Sequence, residues 1–294
     1  MSITATRFTT RIRTWLLVAG LTALLIAIGA AIGGGALYLF VAFAVVMNLA
    51  GYWFSDRIAL RASRAKAVES GSLPWLEATV HDLASRAGVP NPRLYLIPSE
   101  QPNAFATGRN PQHAAVAVTE GLLRHLPEEQ VRGVLAHEFA HIKNRDILVS
   151  SIAAMVAGAI SAIANILQFS LLFGGNDEDS GPLGLLGTIA TIIFAPLAAM
   201  LLQLAVSRQR EYLADATGAQ LLGRAAPLAD ALETLERGAQ AIPMAVNPAT
   251  ASLYAINPLP RVGVATLFMT HPPIQERIRR LRALDGESPL RLAA

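Results

Sequence analysis

From Trp15 to Phe54 the chain carries no charged side chain. A helix of about 20 apolar residues crosses a bilayer, so this run holds two spans. Inside hydrocarbon every backbone N–H and C=O must bond within its own segment, which leaves helices as the available form for such a run. The break falls at Gly33, Gly34 and Gly35, giving a tight helical hairpin. The basic start (Arg7, Arg11, Arg13), the apolar stretch and the small residues near Ala30 also fit a cleaved signal peptide, but the second apolar run follows with no polar gap, which favours the hairpin. Gly29 and Gly33 have the G-x-x-x-G spacing that lets helices approach closely, and a homo-oligomer is left open.

A second pair of uncharged segments, Ile147 to Phe173 and Leu183 to Val206, flanks a loop, Gly174 to Pro182, that carries Asp177, Glu178 and Asp179 and no base. Each is long enough to span with tilt, although Asn165, Gln168 and Pro196 also suit a buried or re-entrant hairpin. Arginine-rich flanks at 1–14, 56–66 and 208–210 mark the cytoplasmic side and put the acidic loop outside. Four spans return the chain to the side where it starts. The composition agrees: 53% of residues are hydrophobic, 15% are charged and the mean hydropathy is +0.42. The net charge of +3 does not indicate nucleic acid, because the basic residues cluster at the ends of apolar segments, where lipid headgroups lie, and no nucleic-acid reader motif is present. There are no cysteines, so disulfides are excluded and any zinc must be held by His and carboxylate.

Between the two apolar pairs lies His137 Glu138 Phe139 Ala140 His141. Side chains four apart on a helix share a face, so His137 and His141 can offer two imidazole nitrogens to one ion. In this H-E-x-x-H pattern two His bind zinc and the Glu between them, here Glu138, acts as general base on a water. A helix is expected from Pro127, with Glu128 and Glu129 in its first turn and Val131, Val134, Leu135, Phe139 and Ile142 as an apolar stripe. The histidines fall beside that stripe, which favours ligands over core residues. Glu128, Glu129, Gln130, Arg132, Lys143, Asn144, Arg145 and Asp146 flank the motif and place it at the membrane surface, not inside a span.

The residues around this helix read as a mainly α protein with a small β-sheet. Helices are expected at Pro74 to Ala87, ended by Gly88, and at Pro227 to Arg237 and Pro273 to Leu284; short strands at Arg93 to Ile97, Ala104 to Thr107 and Ala114 to Thr119. Val116 and Val118 alternate with alanines, as in a half-buried strand. Such a strand either has an open edge for an extended peptide or is an ordinary core strand. After Val206 a helix begins that puts Glu211 and Asp215 on one face. A catalytic zinc with two His needs a third ligand, commonly a carboxylate. Glu211 fits that role and Asp215 fits a hydrogen bond to a ligating imidazole, while a surface charge ladder with Arg208 and Arg210 fits the same spacing.

Several stretches in order, Pro102 Asn103 Ala104 Phe105 Ala106 Thr107 Gly108, His137 to His141, Arg210 Glu211 Tyr212 with Ala214 Asp215, Asn247 Pro248 Ala249 Thr250 Ala251, and Thr270 His271 Pro272 Pro273 with Arg277 Ile278, resemble the HtpX-type membrane zinc endopeptidases, relatives of the type 1 CAAX prenyl proteases. The resemblance covers nearly the whole chain. It implies a gluzincin-like zinc protease domain with one zinc per chain and Glu211 as third ligand. It also implies a multi-pass protein of the plasma (inner) membrane that cleaves misfolded or membrane polypeptides at the cytoplasmic face, in quality control and stress response. By the same resemblance Asn103, Ala104, Phe105, Ala106, Val116 and Val118 border the substrate cleft, and His271 lies near the zinc, either stabilising the oxyanion or shaping a loop. The expected organisation is a hairpin over 1–55, a first catalytic part over 56–146, a second hairpin over 147–206 that splits the catalytic domain, and a second catalytic part over 207–294.

Overall fold

The computed structural model describes residues 35–152, 208–242, 251–258 and 272–286, with isolated positions 19, 22, 23, 26, 30, 244 and 246. The second apolar hairpin beyond residue 152, its acidic loop, residues 247–250 and His271 lie outside the described residues, as does most of the first span. Among the described residues no helix is long and apolar enough to cross a membrane.

In order, the elements are α1 (Ala36–Ala62), β1 (Lys66–Ala67), α2 (Pro74–Ala87), β2 (Arg93–Ile97), β3 (Ala104–Thr107), β4 (Ala115–Thr119), α3 (Glu120–His125), α4 (Glu128–Asn144), α5 (Arg208–Leu222), α6 (Ala226–Ala241) and α7 (Ile274–Gly286). The start of α1 is apolar and exposes Tyr38, Val45, Val46, Leu49 and Trp53. Its end is different. The helix runs past residue 55 into the arginine-rich flank, because Ala59 and Leu60 bury themselves against Phe105, Ala115, Ala117 and Tyr254 while Asp56 pairs with Arg93 at 2.5 Å.

The sheet has the order β1-β2-β4-β3, with β2 and β4 parallel and the outer pairs antiparallel. Successive side chains of a strand point to opposite faces. On one face Val116 and Val118 join Leu76, Leu83, Val134 and Phe139 in the main core; on the other Ala115 and Ala117 meet the end of α1. Of the two readings open for this strand the second holds: β4 is paired on both edges and buried on both faces, a core strand in which Val116 and Val118 have no exposed surface. A strand inside a sheet with a parallel neighbour reads as continuous apolar sequence, and the small alanines imitate the polar half of an alternating pattern. The outer strands are β1 and β3, and on β3 the Ala104 carbonyl accepts the Ala255 N–H.

Helix α4 lies between this sheet and the C-terminal helices. At Gly133 the backbone of Pro227 and Leu228 at the start of α6 comes so near that a Cβ would stand 2.7 Å from it. In an open helix Gly→Ala gains about 1 kcal/mol. Here the sign reverses: Gly133→Ala is expected to destabilise by about 1–3 kcal/mol, as overpacked cores do, and a lowered Tm of the purified protein checks it.

Candidate active site

Helix α4 starts just after Pro127 and presents Val131, Val134, Leu135, Phe139 and Ile142 to the core, which fixes its rotation and carries His137 and Glu138 into the interior, 1% and 2% exposed. Helix α5 meets it where Gly218 lies against the His137 backbone, a Cβ there being 3.1 Å from the His137 nitrogen. Glu211, Asp215 and Gly218 share one face at helical spacing, so this close approach delivers both carboxylates to the histidines.

The result is a triangle of donor atoms. His137 Nε2 and His141 Nε2 are 3.1 Å apart; Glu211 places Oε2 3.7 Å from the first and Oε1 3.5 Å from the second. Ligands at about 2.0–2.1 Å around a tetrahedral ion stand roughly 3.3 Å from one another, so these three residues fit a single metal ion. Both imidazoles are oriented from behind. His137 Nδ1 donates to Asp215 at 3.0 Å, and His141 Nδ1 lies 3.4 Å from the buried carboxylate of Asp146. With its one proton held at Nδ1, each neutral ring turns the Nε2 lone pair to a cation.

Asp146 and Arg277 are the two residues that sequence reasoning passed over as participants. Asp146 returns to His141 because Arg145 takes the left-handed conformation (φ 62°) that ends α4. Arg277 has no exposed surface, grips Asp215 with two hydrogen bonds of 2.7 and 2.8 Å, and reaches to 3.6 Å from Glu211. A signal for it exists: Ile274, Arg277, Ile278 and Leu281 fall on one face of α7, which puts this arginine, unlike Arg279, Arg280 and Arg282, on the apolar side.

The electrostatics favour a cation. Burial pushes the Glu138 carboxyl up to about 7, the Glu211 charge adding to this while His141 and the Ala106 N–H oppose it. For His141, burial resists the charged form, but the bond to Asp146 and the charges of Glu211 and Asp146 outweigh it and raise it to about 9. His137 moves the other way, lowered by burial and by Arg277. Asp215 is also desolvated, yet Arg277 holds it far below the usual carboxylate range.

Beside Glu138 is a cavity of about 20 Å³, lined by Ala106, His137, His141, Glu211 and Ser252 to Ala255, with Ile147 and Ser150 at the start of the second apolar run. That is room for one water or ion. Of the expected cleft residues only Ala106 lines it. Ala104 packs in the main core, and Phe105 stacks edge-on against Tyr254 on the opposite face, the rings 5.1 Å apart. Asn103 is buried, its amide bonded to Ile256 O at 2.7 Å.

Comparison with known proteins gives the family. The sequence model of peptidase family M48 matches residues 72–285. A protease HtpX homolog of Persephonella marina is 54% identical over 276 residues, 92% of this chain and 96% of that protein. One from Pelotomaculum thermopropionicum is 52% identical over 277 residues, 93% and 98% of the two chains. Among solved structures, Ste24p of S. mikatae superposes with a TM-score of 0.50 at 22% identity, over 95% of this chain and 66% of that one, a likeness of fold. The chain belongs to peptidase family M48 and is a metalloprotease of the HtpX type.

Proposed function

We propose that the protein is a zinc-dependent endopeptidase that hydrolyses peptide bonds of misfolded or membrane polypeptides at the cytoplasmic face of the plasma (inner) membrane. The observation that carries this reading is the His137–His141–Glu211 triangle with Glu138 buried against the same small cavity. These three residues would hold the ion. Bound zinc supplies Lewis acidity, making water a nucleophile near neutral pH and polarising the scissile carbonyl. Glu138 takes a proton from the attacking water and passes it to the leaving amine, a double duty suited to a carboxyl whose burial raises it toward neutrality. Asp215 and Asp146 fix the rings that hold the ion. The outer edge of β3, where Ala106 N–H meets Glu138, would receive an extended substrate once the Ala255 bond at Ala104 O gives way. His271 is a candidate donor to the developing oxyanion.

Purified protein in detergent should cleave an unfolded reporter polypeptide, lose that activity to a chelator and regain it with zinc. No cleavage by zinc-loaded protein overturns the proposal. Orientation has its own test in this cysteine-free chain: Ser180→Cys should react with an impermeant thiol reagent from outside the cell and Ser70→Cys should not, the reverse pattern contradicting a cytoplasmic site.

Binding should also depend on pH in a defined direction. A proton held on His141 up to about pH 9 must leave before its Nε2 can ligate, so protons compete with metal and affinity rises with pH. Between pH 8 and 7 apparent zinc affinity should fall about tenfold, with about one proton released per ion. Calorimetry in buffers of different ionisation enthalpy measures that number, and a pH-independent affinity contradicts it.

A further inference from the structure

The segment 251–258 covers the cavity. Ser252 to Ala255 form its wall on one side, and the main chain at Ala255 and Ile256 is tied to β3 and the residue before it: Ala255 N–H donates to Ala104 O at 2.9 Å, and Ile256 N–H donates to Asn103 Oδ1 at 3.3 Å. Tyr254 is buried against Phe105 and its hydroxyl bonds Ser63 at 3.2 Å. The strap therefore occupies a main-chain acceptor, Ala104 O, on the outer edge of β3, the edge nearest Glu138 that a substrate strand would need.

One further contact joins the strap to the ligand set. Arg277 Nη1 donates to Ala255 O at 3.1 Å, while Nε and Nη2 of the same guanidinium hold Asp215, which accepts from His137. Ala255, Arg277, Asp215 and His137 thus form an unbroken line of buried contacts from strap to metal ligand. Arginine suits the junction because its planar fork serves several acceptors at once without losing its charge.

We propose that Arg277 is a positioning residue that couples metal occupancy of the His137–His141–Glu211 group to closure of the 251–256 strap over the cleft. This rests on the metal reading above. An ion that fixes His137 fixes Asp215 and Arg277, and through them the Ala255 carbonyl; by reciprocity, loosening the strap lowers metal affinity.

Hydrogen–deuterium exchange of the full-length protein in detergent, zinc-loaded and chelated, tests it, with bound zinc measured on the same samples. On zinc removal the amides of Ala255 and Ile256 should exchange at least about fivefold faster while those of α2 do not change. Arg277→Gln should make strap exchange fast whether or not zinc is present. Asn103→Ala, which cuts strap bonds and leaves the ligand set untouched, should weaken zinc binding at least about fivefold. Equal strap exchange with and without bound zinc in the unaltered protein overturns the coupling, as does a uniform rise across α2 and the strap. Protein that binds no zinc contradicts the metal reading along with it.

Discussion

Glu211→Ala is expected to lose its stoichiometric zinc and, with it, all measurable cleavage. Among the described residues Glu211 is the carboxylate grouped with both Nε2 atoms, and without it two imidazoles remain where three protein ligands are the rule for a catalytic zinc. Asp215→Ala should act differently. It leaves the three ligands in place but frees the His137 ring, so zinc affinity should fall about 10- to 100-fold. It also strands Arg277, fully buried, without its main carboxylate partner, and breaking a buried ion pair costs about 3–5 kcal/mol, so this variant should melt well below the parent. Metal analysis after dialysis, beside thermal melts, separates the two. Full zinc occupancy in Glu211→Ala would remove it from the ligand set.

The sequence made the local structure around the site legible because local rules decide it. Pro127 with two acidic residues opens α4, the spacing of five apolar residues sets its rotation, and Gly88, at φ 66°, ends α2. Position-by-position spacing also placed Glu211 and Asp215 on one face of α5. What sequence reading missed depends on distant packing. The strand pattern of Ala115–Thr119 is the same for an edge and a centre strand, and only its pairing with β2 decides between them. Polar residues from Asp56 onward mark a change of surroundings, but not that the helix continues to Ala62 under the sheet. Arg277 lies 62 residues from Asp215 in sequence, and a charged residue on an apolar face becomes intelligible only when its partner is known. The strap over the cavity has no periodic pattern at all, since its structure comes from bonds to Asn103, Ala104 and Arg277.

The role proposed for Glu138 is to move protons and not to hold the metal. The residue follows His137 directly, so it projects away from the line joining the two imidazoles and faces the cavity, where its carboxyl accepts the Ala106 N–H. Glutamine at this position keeps the size and that hydrogen bond but has no basicity. Groups that transfer protons in the transition state contribute about 10² to 10⁴ in rate, whereas the three ligands are untouched by the change. The decisive measurement is therefore zinc content and cleavage rate of Glu138→Gln on one preparation. Near-stoichiometric zinc with cleavage at least about a hundredfold slower is the expected result; cleavage at the parent rate, or loss of the metal, would contradict the account.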